Sequence, residues 1–264
     1  MKQLINNWLK NSHLFNFNYF KEALFRQNCV LCNAYIDALE ATNAQVNRHA
    51  VCSPCLNDLP WHPKTSCPQC GLASSGAGLY RTVCGNCINS APDFDTTHAV
   101  FLYQFPIDSM MQRYKYGKSL NIGNIFGQFL GIKMQPEAHA DNIDLVIPMP
   151  MHPQRLKERG FNQALEIAKV LTKNCKEKLD FKSVIRQTLT PPQASLPLKE
   201  RVKNIKGAFK VNGDSPNQFQ GKRIAIVDDV MTSGASLNEL AKTIKQAGAV
   251  HVECWVIART LPHT

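Results

Sequence analysis

The sequence contains no apolar run approaching the roughly 18–20 residues that span a bilayer, which argues against membrane insertion. Its first twenty residues, MKQLINNWLKNSHLFNFNYF, are broken by asparagines and lack both a smooth apolar core and a small-residue cleavage site. No signal peptide is read there, and a cytoplasmic location is the expectation. No internal repeat is visible beyond short cysteine pairs. Acidic residues are the scarcer charge, 20 Asp and Glu against 30 Lys and Arg, for a formal net charge of +10. That surplus favours a polyanionic partner such as a phosphorylated sugar, a nucleotide or a nucleic acid. Residues 155–210 hold fourteen Lys and Arg against five Asp and Glu; a solvated basic face is the bland alternative. At 264 residues, 44% hydrophobic and 19% charged, the chain can build one sizeable α/β core plus a smaller unit.

Ten cysteines in a reducing compartment call for metal before disulfides. Eight form four C-x-x-C pairs: Cys29/Cys32, Cys52/Cys55, Cys67/Cys70 and Cys84/Cys87. Each pair places two sulfurs on one tight turn, and two pairs supply the four tetrahedral thiolates that Zn²⁺ prefers. The gap from Cys32 to Cys52 holds 19 residues and that from Cys70 to Cys84 holds 13. The expected sets are therefore Cys29, Cys32, Cys52 and Cys55 on one ion, and Cys67, Cys70, Cys84 and Cys87 on another; interleaved pairing is the alternative. Two closed sites with four sulfurs each leave no open coordination position, so their role is structural. Redox catalysis is the rival reading, although four pairs exceed what a thioredoxin-like motif needs. His49 and His62 are possible substitute ligands, and Cys175 and Cys254 read as packed thiols.

Residues 4–26 suggest one or two short helices packing on the cysteine module, with too few lysines for an interfacial anchor. The cysteine region, 29–87, is rich in Pro, Gly, Ser and Asn, the composition of a metal-stapled module. SAPDF at 90–94 reads as a boundary, giving an N-terminal helix and double zinc ribbon over 1–94 and an α/β domain over 95–264. Three strand units follow. DLVIPMP (144–150) precedes a basic loop and a helix over about 162–173; RIAIVDD (223–229) precedes TSGAS and a helix from about Ser236; VHVECWVIA (250–258) is a last strand. Leu237, Leu240, Ala241, Ile244 and Ala247 have helical spacing, and Gly248 suits the stop. Apolar strands alternating with helices imply a mostly parallel sheet.

In RIAIVDDVMTSGAS (223–236), a buried strand runs into two adjacent carboxylates, and a turn of small residues then opens a helix. The turn Thr232–Ser236 can direct backbone N–H groups and three hydroxyls at one phosphate, with the helix dipole adding partial positive charge. Gly234 permits close backbone approach. Asp228 and Asp229 stand where an open α/β sheet binds its ligands, able to accept hydrogen bonds from two ribose hydroxyls. A buried strand with an ordinary capped helix is the bland alternative.

This segment resembles the signature of type I phosphoribosyltransferases, which bind 5-phosphoribosyl-1-pyrophosphate (PRPP). The resemblance implies a type I phosphoribosyltransferase-like parallel sheet with flanking helices. It also implies that Asp228 and Asp229 hold the ribose hydroxyls as the catalytic pair, and that Thr232, Ser233, Gly234, Ala235 and Ser236 cradle the 5-phosphate. The chain as a whole resembles the ComF competence family, which includes ComFC and GntX proteins. The likeness runs through the cysteine knuckles, YKYGKS (114–119), IPMPMHPQRLKERGFNQA (147–164), PPQASLPLKERVKNIKGAF (191–209) and the acidic strand; RLKERGFNQ is its most specific part.

In the resembling enzymes the basic stretch after IPMP is the pyrophosphate loop. Arg155, Lys157 and Arg159 would neutralise the leaving group, while Gly160 and Asn162 would turn the backbone and cap the next helix. TPPQASLPLKERVKN (190–204) resembles the flexible hood loop of amidophosphoribosyltransferases, with Gln193, Arg201 and Asn204 as contacts. Tyr114, Lys115, Tyr116 and Lys118 interleave aromatics with lysines, a pattern that suits single-stranded nucleic acid or the entrance to the sugar-phosphate site. The leading expectation is a domain that binds PRPP with Mg²⁺ bridging phosphate oxygens and displaces pyrophosphate at the anomeric carbon. The resemblance also implies a role in natural transformation, acting on incoming single strands with a competence helicase. The rival readings are a catalytically silent single-stranded-DNA-handling factor and a regulatory nucleotide-binding protein.

Overall fold

The computed structural model describes residues 28–36, 50–73, 82–117, 119–134, 143–173, 178–189, 204–213 and 217–261. The segment 4–26, His49, Lys118, Cys175, Gln193 and Arg201 lie outside these residues. Compactness divides the chain into two units, Met1–Asp58 and Leu59–Thr264.

In the first unit, Cys29 to Asn33 form a tight knuckle closed by Asn33 N–H donating to the Cys29 carbonyl at 2.9 Å. Helix α1 (Ser53–Asn57) follows, with Cys52 as its N-cap.

The second unit repeats that pattern. Gly71 N–H donates to the Cys67 carbonyl at 2.9 Å, and Cys84 is the N-cap of α2 (Gly85–Asn89). Then come β1 (Thr96–Leu102), α3 (Ile107–Tyr116), α4 (Leu120–Met134), β2 (Leu145–Pro148), α5 (Pro153–Arg159), α6 (Gln163–Thr172), β3 (Lys178–Leu179), β4 (Val184–Arg186), β5 (Phe209–Val211), β6 (Arg223–Met231), α7 (Ala235–Gln246) and β7 (His251–Arg259). Five strands form one sheet in the order β1-β7-β6-β2-β3, and every pairing in it is parallel. β4 and β5 form a separate antiparallel pair. The expected parallel sheet with flanking helices is present, together with two clusters of four cysteines.

Central parallel strands are covered on both faces, so they read as continuous apolar runs rather than as alternation. Ile224 to Val227 and Val252 to Ala258, except Glu253, are that run here, and all are buried. α7 buries Leu237, Leu240, Ala241 and Ile244 in one cluster with Ile224, Ile226, Val252 and Cys254. A side chain like Leu240 or Ile244 in such a site contributes about 1.5–3 kcal/mol by burial alone.

The composition-based boundary at 94/95 lies inside the second unit. Backbone bonds explain why the Cys67 knuckle goes with the sheet: Thr97 N–H donates to the Pro68 carbonyl, His62 N–H to Val100 and Leu102 N–H to Pro60. Among the described residues, no helix is long and apolar enough to cross a membrane.

Candidate functional site

Two features of the second unit's sheet create the site. β2 ends at Pro148, opposite Val227, and just past it Met149 N–H donates to the Val227 carbonyl at 2.8 Å. β6 continues beside β7 to Met231, opposite Arg259. Asp228 and Asp229 therefore lie within β6 but beyond the end of β2. Side chains on a strand alternate between faces, so Asp228 continues the side of Ile224 and Ile226, and Asp229 that of Ala225 and Val227.

The two carboxylates have different surroundings. Asp229 is 9% exposed, and its Oδ2 lies 2.8 Å from Lys115 Nζ in the last turn of α3. Burial disfavours the charged lysine, but the Asp229 carboxylate outweighs it and holds the ammonium pKa above its usual value. Asp228 accepts the Asp229 N–H at 2.9 Å. Burial, followed by the charge of Asp229, pushes the Asp228 carboxyl up to about 7, although Lys115 and Arg186 oppose this.

The turn after β6 has the geometry its residue types allow. Gly234 adopts φ +80°, and a Cβ there would lie 2.8 Å from Met231 Cε. Ser233 Oγ accepts the Ala235 N–H at 3.3 Å. Ala235 and Ser236 open α7, whose first turn, like that of any helix, leaves N–H groups without intrahelical partners. Thr232 contributes its carbonyl to Arg259.

The stretch expected as a basic loop is instead the short helix α5. His152 Nδ1 accepts the Gln154 N–H, Pro153 occupies the first turn, where proline is favoured, and Gly160 ends the helix at φ 84°. Lys157 is exposed; Arg155 and Arg159 are half-buried. Arg159 donates to Gln163 Oε1 at 3.2 Å and lies 5.9 Å from the Tyr116 ring centre. Asn162 caps α6 by accepting from Ala164 and Leu165, and its Nδ2 donates to the Met149 carbonyl, tying the loop after β2 to that cap.

The aromatic–lysine segment divides. Tyr114 is fully buried, with its hydroxyl donating to the Gln163 carbonyl at 2.9 Å. It is therefore core and not a stacking platform, a correction to the expected nucleic-acid contact. Tyr116 is 69% exposed, and Lys115 faces the acidic pair rather than solvent.

Sequence reading misses Arg186 at the end of β4. Burial lowers its guanidinium pKa, Arg155 lowers it further and Asp228 raises it, so this arginine lies within electrostatic reach of both the basic helix and the acidic pair. No motif marks it; a charge ending a short apolar strand is a weak signal. Asn204, half-buried, lies on the returning arm of the β4–β5 pair, and Glu239 of α7 accepts the Gly207 N–H at 2.7 Å. That bond ties the segment after the expected hood loop to α7, the helix that follows the Thr232–Ser236 turn.

The cysteines group sequentially and not interleaved: Cys29, Cys32, Cys52 and Cys55, then Cys67, Cys70, Cys84 and Cys87, each set with its sulfurs within 4.8 Å of one another. A Zn–S bond of about 2.3 Å in a tetrahedron puts sulfurs about 3.8 Å apart. Cys32 and Cys52 lie at 3.6 Å, as do Cys70 and Cys84. Cys29 Sγ accepts the Cys52 N–H, and Cys67 Sγ the Cys70 and Cys84 N–H groups. Burial opposes their ionisation, but these donors outweigh it and draw both thiols down to about 7. Each set could hold a structural zinc ion. His62 is not a ligand, since its Nε2 pairs with the Gly71 carbonyl at 2.8 Å.

The acidic strand end, the small-residue turn and the short basic helix thus flank one parallel sheet in a chain that also bears two four-cysteine clusters. No family model matches the chain. It is similar to competence protein F of Haemophilus influenzae, 28% identical over 242 residues, 89% of this chain and 98% of that one. DNA utilization protein YhgH of Escherichia coli is 29% identical over 201 residues, 75% of this chain and 86% of that one. Competence protein ComFC of Bacillus subtilis is 25% identical over 220 residues, 80% of this chain and 84% of that one. A solved glutamine PRPP amidotransferase from B. subtilis aligns with 54% of this chain and 30% of its own, at 15% identity and a TM-score of 0.34.

Proposed function

We propose that this chain binds a 5-phosphoribosyl ligand, PRPP or ribose 5-phosphate, with Mg²⁺, and acts in the cytoplasm in the uptake or use of DNA. One observation carries the reading: two carboxylates beyond the end of β2 precede a turn of hydroxyl and glycyl residues that opens α7.

Asp228 accepts a hydrogen bond from a ribose hydroxyl, and Asp229, charge-balanced by Lys115, addresses the other side of the sugar. Thr232, Ser233 and Ser236 offer hydroxyls, and Gly234 and Ala235 offer backbone, to the 5-phosphate. Arg155, Lys157 and Arg159 neutralise pyrophosphate as its bond to the anomeric carbon breaks and it leaves with the electron pair. Gln193, Arg201 and Asn204, from the 190–204 stretch, contact the polar groups of the ligand. Mg²⁺, held by the ligand's own phosphate oxygens, would supply charge neutralisation. The carboxylates and phosphates suit that hard cation; the cysteine clusters suit zinc.

The placement in DNA uptake or use is supported by the names of the relatives, two of them competence proteins and one a DNA utilization protein. Those names, with fourteen basic residues in 155–210, also favour a second reading. In it the site is catalytically silent and belongs to a factor that handles single-stranded DNA, with a competence helicase as partner, or responds to nucleotides.

Calorimetry with PRPP and Mg²⁺ on the wild type and on Asp228→Ala/Asp229→Ala tests the site: wild type should bind and the double variant should not. A wild type indifferent to PRPP would end the first reading. Pyrophosphate release across a panel of bases and amines separates transferase from silent site. Single-stranded DNA binding that weakens steeply with salt supports direct handling of DNA; no binding at low salt excludes it.

A further inference from the structure

One buried side chain joins the second cysteine cluster to the phosphate turn. Arg259, the last residue of β7, is 4% exposed. Its Nε donates to the Cys70 carbonyl at 2.9 Å. Its Nη1 donates to the Met231 carbonyl at 2.9 Å and to that of Thr232. Cys70 is the second sulfur of its knuckle, and Thr232 is the first residue of the turn. A guanidinium is a rigid planar fork, so displacement of one carbonyl is felt at the other.

The surroundings fit this linkage. Gly71 follows the knuckle at φ +67°, and a Cβ there would lie 2.9 Å from Thr97 Cγ2 and 3.8 Å from Arg259 Cδ. The Thr97 contact and the positive φ require glycine for the knuckle to sit this close to β1, and the arginine stem packs at ordinary contact distance. Thr97 Oγ1 donates to the Gln69 carbonyl at 2.6 Å, fixing the knuckle from its other side. Four thiolates around one divalent ion carry net negative charge, which a buried guanidinium offsets.

We propose that Arg259 is a positioning residue that transmits the metal-loaded state of the Cys67/Cys70/Cys84/Cys87 cluster to the Thr232–Ser236 turn. Loss of metal from that cluster loosens the turn and weakens its grip on a phosphate monoester. The ligand half of this statement rests on reading the turn as a phosphate site; the mechanical half does not.

The test uses the full chain loaded with zinc. Hydrogen exchange of the 232–236 amides is followed in wild type, Arg259→Lys, Cys84→Ser and Cys55→Ser, with zinc content and thermal unfolding measured on each. Arg259→Lys keeps a cation but loses the fork, and it should retain both zinc ions. Exchange in the turn should quicken about fivefold or more, the lower end of ordinary site coupling, in Arg259→Lys and Cys84→Ser but not in Cys55→Ser. Ribose 5-phosphate should weaken by a similar factor in the first two. By reciprocity, ribose 5-phosphate should tighten the affinity of one of the two zinc ions, read by equilibrium competition with a chelator, in wild type and leave it unchanged in Arg259→Lys.

Wild-type exchange in a folded, zinc-replete Arg259→Lys would overturn the proposal, as would equal loosening by Cys55→Ser. If Cys84→Ser does not fold, stepwise chelation of wild type against Arg259→Lys makes the same comparison. A wild type that ignores ribose 5-phosphate sinks the phosphate reading instead, and the exchange data still decide the mechanical link.

Discussion

Lys115 Nζ and Asp229 Oδ2 meet at 2.8 Å, joining the last turn of α3 to the acidic end of β6. With side-chain exposures of 22% and 13%, the pair is buried enough for each partner to depend on the other. Its effect is to separate two adjacent acids into one neutralised carboxylate and one, Asp228, whose charge is resisted by burial and by its neighbour.

Removing the lysine should therefore cost more than a surface ion pair would. Breaking a fully buried pair costs about 3–5 kcal/mol; partial exposure reduces the expectation for Lys115→Met to about 2 kcal/mol. Adding Asp229→Asn should recover part of that loss, because the stranded carboxylate is gone. Denaturant unfolding of the two single variants and the double variant measures the coupling, and strict additivity would mean that the contact does not stabilise the fold.

The raised pKa of Asp228 gives a pH dependence of definite sign. The native state binds this proton more tightly than the unfolded chain, whose aspartates titrate near 3.9. The stability this group contributes is thus fully present below about 4 and is lost as pH rises through about 7. Asp228→Asn should remove that slope and unfold at a higher temperature than wild type at pH 8. A ligand hydroxyl needs the carboxylate as acceptor, so PRPP should bind more tightly as pH passes through 7, releasing up to one proton below it. Calorimetry in two buffers of different ionisation heat reads the proton directly.

Metal content tests the two clusters separately. Two sets of four thiolates predict about two zinc ions per chain. Cys29→Ser should lower that to about one and so should Cys67→Ser, because the sets share no ligand. A value near one in the wild type would mean that one set does not close around an ion.

What is legible in the sequence follows from how each feature is encoded. The strands at 145–148, 223–231 and 251–259 stand out as apolar runs, since both faces of each are covered. The cysteine sets are encoded in spacing, and the Thr232–Ser236 turn in residue size. Tyr114 misleads because alternation of aromatics and lysines looks the same whichever way the ring points. The stripe Ile107, Met110, Met111, Tyr114, all buried at helical spacing, carries the answer. The basic stretch 153–159 resembles a loop in composition, although Pro153 and Gly160 are helix start and stop signals. Arg186, Glu239 and Arg259 reach partners distant in sequence, and no local pattern encodes those contacts.

Gly234 gives the sharpest test of the turn itself. Its φ of +80° is costly for any residue with a Cβ, about 1–2 kcal/mol, and an added methyl would also meet Met231 Cε. The Met231 terminus can swing aside, so strain in the turn should dominate. Gly234→Ala is expected to lower stability by about 1–2 kcal/mol while leaving the fold intact, since the core side chain it crowds, Met231, meets it with its flexible end. The same strain should shift the Ser233–Ser236 amides that the proposed phosphate site uses. Affinity for ribose 5-phosphate should fall about tenfold or more, as 1.4 kcal/mol is a factor of ten in binding. Paired unfolding and calorimetry separate the two effects: a variant that loses stability yet binds ribose 5-phosphate as wild type does would show that the turn holds no phosphate.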